Sequence, residues 1–149
     1  MDELRGKLQD ALKTAMMSKD AARRDVIRMV LSEIKQVEVD ERKTLSGDEV
    51  MTVLLREVKK RRESIEEARR VGREDVAGAV EAEIAILETF LPAQLSRDEL
   101  VTLARAAVQE AGASNVKDMG RVMAILMPKV KGTADGKLVN EVVRELLSS

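Results

Sequence analysis

The stretch MGRVMAILMPKVKGTADGKLVN, residues 119–140, decides the C-terminal part of the fold. Its apolar residues recur at helical spacing on both sides of a glycine-containing segment, so the stretch predicts two helices joined by a turn. Gly120, Pro128, Gly132 and Gly136 interrupt this pattern. Each Gly or Pro inside a helix costs roughly 1 to 3 kcal/mol. We therefore expect these residues to serve turns or close packing, and Gly120 to let a neighbouring helix approach closely.

The segment between the two helices has two interpretations. Gly132 and Gly136 are expected to bracket a turn in which Asp135 binds backbone N–H groups. The alternative is that the backbone amides there bind a phosphate at a helix N-terminus. The second helix is expected to begin near Thr133, which can act as its cap. The three methionines at one-turn spacing favour core packing over a soft partner-binding surface.

Helical periodicity continues through the rest of the chain and predicts an all-α fold. Four helices, arranged as helical hairpins, are predicted before the first proline. Asp20 is expected to cap the second helix, and Ser46 with Glu49 forms a capping box that opens the third. Gly72 is expected to end the third helix in the left-handed conformation.

The stretch Pro92–Leu95 is the predicted domain boundary. A second capping box, Ser96 with Glu99, restarts a helix directly after it. Three shorter helices are expected beyond this point. The sequence therefore predicts an N-terminal helical domain over residues 1–92 and a small three-helix tail domain over residues 96–149.

The composition excludes several kinds of catalytic site. The sequence contains no Cys and no His, which removes thiolate nucleophiles, imidazole acid–base catalysis and the usual zinc ligands. It also shows no Gly-rich nucleotide loop. We expect no catalytic residues, no metal and no cofactor. Phe90 is the single aromatic residue, so nucleic acid would be contacted through phosphates and shape rather than by base stacking.

The N-terminal sequence MDELRGKLQD is charged from its second residue. It contains no apolar signal-peptide core, and no later apolar run approaches the ~20 residues of a membrane span. We expect a cytoplasmic protein without a membrane partner.

The charge distribution predicts a local basic surface. The net charge is −1, but the segment Lys117–Arg144 holds six basic and three acidic residues. An ordinary solvated face is the alternative to a phosphate-binding surface. The run Lys59–Arg62 is explained by pairing with nearby glutamates on a solvated helix. Glu81 and Glu83 are interpreted as surface charges. The candidate nucleic-acid-binding residues are Lys117, Arg121, Lys129, Lys131 and Lys137.

Several clusters match a known family, most specifically Met127-Pro128-Lys129, Lys131-Gly132 and Ala134-Asp135-Gly136 at their mutual spacing. Others include Lys60–Ile65, Gly72–Asp75, Glu81–Ile84, Leu91-Pro92 and Asp118-Met119-Gly120. On these residues the chain resembles the YqeY family, whose C-terminal half is similar to the tail domain of the B subunit of the glutamine-dependent aspartyl/glutamyl-tRNA amidotransferase. The resemblance implies a helical N-terminal domain and a three-helix tail, which in the amidotransferase contacts tRNA. Phe90 stands where Tyr is expected in the family.

Three functions follow from these patterns. The leading hypothesis is a non-catalytic module that binds tRNA or another structured RNA through its tail domain. The second is a protein-interaction adaptor, which the near-neutral charge and the many apolar helix faces favour. The third, a carbon–nitrogen ligase with glutamine as amido donor, follows only from the family resemblance. The missing Cys, His and nucleotide loop argue against this third function, and the larger phosphotransfer portion of the amidotransferase subunit does not fit in 149 residues.

Overall fold

A computed structural model describes residues 3–148 of the chain, and in this range it contains helices and no strand. The predicted all-α class is confirmed. A 3₁₀ helix, Val116–Asp118, precedes the sixth α-helix. Within the described range no helix is long and apolar enough to cross a bilayer. The α-helices are α1 Glu3–Met17, α2 Ala21–Glu41, α3 Gly47–Arg70, α4 Glu74–Glu88, α5 Arg97–Ala111, α6 Met119–Val130 and α7 Gly136–Ser148.

The chain divides into two compact units, of which the first ends at Leu91 and the second begins at Pro92. The first unit contains α1–α4 and the second contains α5–α7. That each unit folds as an independent domain stays a prediction.

Helix caps set the ends of the helices in the first unit. The Asp20 carboxylate accepts a hydrogen bond from the Arg23 N–H at 3.1 Å. The Ser46 hydroxyl accepts from the Glu49 N–H at 3.2 Å, and the Glu49 carboxylate accepts from the Ser46 N–H at 3.1 Å. Gly72 has φ +74° just after α3. The predicted caps are confirmed. The side chains of Asp20 and Ser46 satisfy N–H groups that a helix leaves unpaired at its start, and the Gly72 N–H donates to the Arg69 carbonyl at the end of α3 at 3.1 Å.

The first unit buries one apolar core among its four helices. The core side chains recur at helical spacing, which turns one face of each helix inward. The fully buried members include Leu8, Ile27, Val30, Ile34, Val50, Leu54, Ala77 and Leu87.

The second unit has its own core, built from α5, α6 and α7. The predicted capping box at Ser96 and Glu99 opens α5, with both hydrogen bonds at 3.1 Å. The three methionines of α6 are half-buried and pack against this core, as the core interpretation expects. The buried members are Leu100, Ala104, Ala107, Val122, Leu126, Val130, Val139, Val142, Val143 and Leu147.

The turn between α6 and α7 depends on Gly132, which has φ +83°. This left-handed conformation favours glycine. Thr133 does not cap α7 as expected, because its hydroxyl donates to the Val130 carbonyl at 2.9 Å and so closes the end of α6. Helix α7 begins at Gly136, and its first backbone acceptor is the Asp135 carbonyl, 3.0 Å from the Val139 nitrogen.

The linker before α5 is tied to this turn. The Gln94 side-chain amide donates to the Gly132 carbonyl and to the Pro92 carbonyl, each at 2.9 Å. The Leu95 N–H donates to the Thr133 carbonyl at 2.8 Å. Gln94 and Leu95 are therefore part of the second unit rather than a free connection.

Two residues of the segment 119–140, Gly120 and Pro128, are exposed. Gly120 is exposed, and a methyl group added there would meet nothing within 4 Å. The expectation of close helix packing at Gly120 is wrong, because this residue points away from the buried side of α6. Pro128 lies in the last turn of α6 and leaves the Ala124 carbonyl without its helical N–H partner. Ala124 is exposed, so water can reach that carbonyl.

Candidate nucleic-acid interface

The five candidate cations are all exposed, but they do not form one cluster. Lys117 and Arg121 flank the start of α6, while Lys129 lies in its last turn and Lys131 just after it. A helix of this length spans roughly 18 Å. Lys137 lies in the first turn of α7. The candidates therefore form one group at the start of α6 and another around the α6–α7 turn, and these groups would meet different phosphates.

At the start of α6, the Arg121 side chain is hydrogen-bonded to neighbouring acceptors, whereas the Lys117 side chain has none in the described range. The Arg121 guanidinium donates to the Asp118 carboxylate at 2.7 Å and to the Ala111 carbonyl at 3.0 Å. The Ser114 N–H, 2.9 Å from Asp118, and then Arg121 lower the pKa of Asp118 from 3.8 to about 2. Asp118 is thus a carboxylate at neutral pH. Lys117 makes no ion pair with any residue in the described range.

Around the α6–α7 turn, Lys129 and Lys131 differ in the same way. The Lys129 ammonium lies 3.4 Å from the Glu110 carboxylate, and both side chains are about half exposed. Such an exposed ion pair contributes little to stability, so an anionic ligand can readily replace Glu110 as the partner of Lys129. Lys131 makes no ion pair within residues 3–148. Lys117 and Lys131 are therefore the best placed of the five candidates to bind a phosphate.

The sequence did not identify two further exposed arginines of the second unit as candidate site residues. Arg105 on α5 and Arg144 on α7 make no ion pair in the part of the chain that the structure describes. Arg105 has no carboxylate three or four residues away, which is the signal that could have identified it. Glu141, one turn before Arg144, lies 3.7 Å from Arg97 instead.

The basic run of the first unit differs from the sequence interpretation. The predicted pairing with a nearby glutamate is present, since the Glu57 carboxylate lies 3.1 Å from Lys60 and 3.6 Å from Arg61. Arg61 is only 8% exposed, however, so the expectation that the whole run Lys59–Arg62 is solvated is wrong. Arg61 shares its helix face with the buried residues Val58 and Ile65. Its burial follows from its position three and four residues from these core side chains.

The buried Arg61 guanidinium has few strong acceptors. Its Nη1 donates to the Glu57 carbonyl at 3.1 Å, and its Nη2 lies 3.1 Å from the Met29 sulfur. The Glu57 and Glu83 carboxylates lie 3.6 and 3.7 Å away. Its Nε makes no hydrogen bond. Glu83 is therefore part of a partly buried ion cluster and not an isolated surface charge.

The ring of Phe90 makes a cation–π contact with Arg23. The Arg23 guanidinium lies 5.0 Å from the centre of its ring, and Arg23 also approaches the Thr89 hydroxyl at 3.4 Å. A phenyl ring attracts a cation through its π face. The contact thus needs no phenolic hydroxyl.

Within residues 3–148, no group of three or more acidic, Cys or His side chains is arranged to hold a metal ion. The arrangement of the second unit offers instead exposed ammonium and guanidinium groups on a small helical framework. Such groups bind anions, and their affinity for a polyanion depends on salt.

Curated relatives match this chain over half of its length or more. "Altered inheritance of mitochondria protein 41, mitochondrial" of Pyrenophora tritici-repentis is 28% identical over 96% of this chain and 80% of its own length. The protein of the same name from Vanderwaltozyma polyspora is 33% identical over 56% of this chain and 46% of its own length. An uncharacterized protein of Schizosaccharomyces pombe is 33% identical over 62% of this chain and 72% of its own length.

These names correct one expectation from the sequence. Three of the relatives are named as mitochondrial proteins, which contradicts the expected cytoplasmic location. The lack of an apolar signal core says nothing about mitochondrial targeting, because mitochondrial targeting segments are amphipathic rather than apolar.

The resemblance seen in the residues extends to the whole chain. The sequence pattern of the family described as "Yqey-like protein" matches residues 5–147. That match covers all seven helices except the ends of the first and last. The chain therefore belongs to the YqeY-like family.

Proposed function

We propose that this protein is a non-catalytic RNA-binding module whose second unit contacts the phosphates of tRNA or another structured RNA. The observation that carries the proposal is the pair of exposed lysines, Lys117 and Lys131, that make no ion pair in the described range. The resemblance of the second unit to the tail domain of the tRNA amidotransferase subunit supports the same class of ligand.

The composition favours phosphate contacts over base recognition. The second unit contains no aromatic residue on which a base could stack. Phosphate contacts by Lys and Arg supply sequence-independent affinity and release counterions. The proposed binding is therefore weakly sequence-specific and strongly dependent on salt.

A gel-shift titration with total tRNA tests the proposal. Changing Lys117→Gln and Lys131→Gln together should weaken binding at ~50 mM salt, where electrostatic binding is strong. If both lysines contact phosphates, the slope of log K against log salt should become shallower by about 1.4 to 1.8. Circular dichroism should show an unchanged fold, because both side chains are exposed.

Two matched double variants complete the experiment. Arg121→Gln with Lys129→Gln removes the same charge from cations that already have local partners, and should weaken binding less. Lys35→Gln with Lys59→Gln removes it from the first unit and should have the smallest effect. Equal losses from all three pairs would mean general electrostatics, and no tRNA binding at low salt would refute the proposal. A stable protein partner that resists nuclease would then favour the adaptor function.

A further inference from the structure

One corner of the first unit presents exposed apolar and basic side chains together. It is formed by the last two turns of α1, the connection to α2 and the second turn of α2. Met16 is 49% exposed and Met17 is 85% exposed, although such side chains are normally shielded from water. The guanidinium of Arg28 lies 3.7 Å from the Met16 sulfur. We name as the α1–α2 corner the residues Lys13, Met16, Met17, Lys19 and Arg28.

The charges of this corner are not balanced by neighbouring carboxylates. The segment Lys13–Arg28 contains five basic and two acidic residues. Asp20 is used as a helix cap, 3.1 Å from the Arg23 N–H, and Asp25 pairs with Arg24 at 2.9 Å. The three cations of the corner make no ion pair in the part of the chain that the structure describes. They therefore create a local positive potential that extends about 10 Å at 0.1 M salt.

We propose that the α1–α2 corner binds the surface of an anionic lipid bilayer. A bilayer attracts each basic side chain separately, and it accepts an apolar side chain at the boundary of headgroups and acyl chains. It therefore requires no complementary shape. A peripheral contact also requires no spanning helix, so it is compatible with the helices of residues 3–148.

Two other macromolecules fit the corner less well. RNA phosphates would attract the three cations, but RNA recognition buries aromatic rings rather than thioether chains, so Met16 and Met17 would be left in water. A stable protein interface buries about 800 Å² on each partner and uses about 20 to 30 residues a side. The five residues of the corner are too few for such an interface.

Co-sedimentation of the full chain with lipid vesicles tests this proposal. Vesicles of phosphatidylcholine with about 30 mol% phosphatidylserine supply the negative surface potential, and pure phosphatidylcholine vesicles lack it. We expect binding only to the anionic vesicles at low salt. The triple change Lys13→Gln, Lys19→Gln and Arg28→Gln should lower the partition coefficient on the order of 100-fold, since each cation contributes about fivefold.

A second variant tests the contribution of the two methionines to vesicle binding. Met16→Ser with Met17→Ser leaves the charge unchanged and should lower the partition coefficient on the order of 10-fold, because the apolar side chains no longer gain by leaving water. Unchanged vesicle binding by this variant would overturn the proposal, since only general attraction of charges would remain.

A matched triple variant controls for net charge. Lys35→Gln, Arg56→Gln and Lys59→Gln removes two lysines and one arginine from elsewhere in the first unit, and should have little effect. Equal losses from the two triple variants, or no binding of the unmodified protein to anionic vesicles, would refute the lipid contact. If the corner variant instead lost tRNA binding while vesicle binding was absent, the corner would be an RNA contact.

Discussion

Arg61 shows how a single side chain can depend on a few buried partners. Its guanidinium is 8% exposed, and its one short hydrogen bond to oxygen goes to the Glu57 carbonyl. The sulfur of Met29 is a weaker acceptor than an oxygen atom. Glu57 is itself only 5% exposed. Each charge has one further partner, since the Lys60 ammonium lies 3.1 Å from the Glu57 carboxylate and Glu83 lies 3.7 Å from Arg61. Removing Arg61 therefore takes away the least exposed partner of Glu57 and leaves an exposed one.

The first prediction follows from this pairing. Arg61→Met should lower the free energy of unfolding by about 1 to 3 kcal/mol, because the nearly buried Glu57 carboxylate then keeps only the Lys60 ammonium, 3.1 Å away, as its counter-charge. Urea unfolding followed by circular dichroism gives the measurement.

The double variant Glu57→Gln with Arg61→Met is the control. It should recover part of the loss, because the buried group that lost Arg61 is then a neutral amide rather than a carboxylate. An Arg61→Met variant as stable as the unmodified protein would mean that the pair contributes nothing. An equally unstable double variant would assign the loss to packing instead.

At the residue scale, the sequence predicted local contacts better than burial. The caps at Asp20, Ser46 and Ser96 require only a partner three residues away, so the pattern predicts them directly. Arg61 was misinterpreted because a run of four basic residues draws attention to charge, whereas its position relative to Val58 and Ile65 decides its environment. Gly120 was misinterpreted because a glycine inside a helix was taken as a packing signal, although the spacing of Val122, Leu126 and Val130 places the buried side of α6 elsewhere.

At the element scale, Asp118 connects the end of α5 to the start of α6. Its carboxylate accepts from the Ser114 N–H and from Arg121, which also donates to the Ala111 carbonyl at the end of α5. Three local contacts thus hold the short 3₁₀ helix against its neighbours. The two contacts to the Asp118 carboxylate are strongest when it is charged.

The second prediction concerns the pH dependence of this junction. The pKa of Asp118 is lowered from 3.8 to about 2. The unfolded chain therefore binds a proton more readily than the folded chain, so the contribution of Asp118 is present at neutral pH and is lost as pH falls from about 4 to about 2. Carboxyl-carbon NMR titration measures the pKa directly.

Arg121→Gln separates the causes of this shift. It should raise the pKa of Asp118 but leave it below 3.8, because the Ser114 N–H is the larger cause and remains. A pKa near 3.8 in the unmodified protein would contradict the hydrogen bonds at the junction. A full return to 3.8 in the variant would show that Arg121 alone causes the shift.

The candidate interface was only partly predictable at this scale. The sequence correctly indicated exposure for Lys117, Arg121, Lys129, Lys131 and Lys137. It did not indicate that Arg121 and Lys129 have acceptors at the end of α5, since Ala111 and Glu110 are 10 and 19 residues away along the chain. Which cations are available to a ligand is therefore decided by helix packing rather than by the charge pattern.

At the scale of the whole molecule, the linker between the units is shorter than the sequence suggests. Pro92 and Ala93 are exposed, whereas Gln94 and Leu95 are half-buried and hydrogen-bonded to the α6–α7 turn. The sequence predicted a boundary over Pro92–Leu95 because Pro92 and the capping box at Ser96 are local signals. The acceptors on the turn are distant in sequence, so the pattern could not reveal them.

The third prediction is that brief digestion with a protease of broad specificity cuts first on the carboxyl side of Ala93. The bonds on either side of Pro92 resist most proteases, whereas Ala93 is exposed and its backbone makes no hydrogen bond in the described range, which favours cleavage there. Mass spectrometry of the first fragments identifies the bond. Two fragments that stay helical after separation would support independent folding of the two units.

Gln94→Ala provides the comparison. It removes both side-chain hydrogen bonds of the linker and should extend the early cuts to residues 94–96. First cuts within residues 50–70 would place the weak point in α3 and contradict the assigned boundary. An unchanged pattern in the variant would mean that the Leu95 hydrogen bond alone holds this segment.

The hydrogen bond from Gln94 to the α6–α7 turn can form only late in synthesis of the chain. Gly132, which accepts the hydrogen bond of Gln94, is made 38 residues later. At about 5 to 20 residues per second, the ribosome needs about 2 to 8 s for this distance. During that interval all four helices of the first unit have already been made, while Gln94 and Leu95 lack their acceptors on the α6–α7 turn. The nascent chain thus passes through a stage in which the whole first unit has been made and Gln94 and Leu95 still lack their hydrogen bonds to the α6–α7 turn.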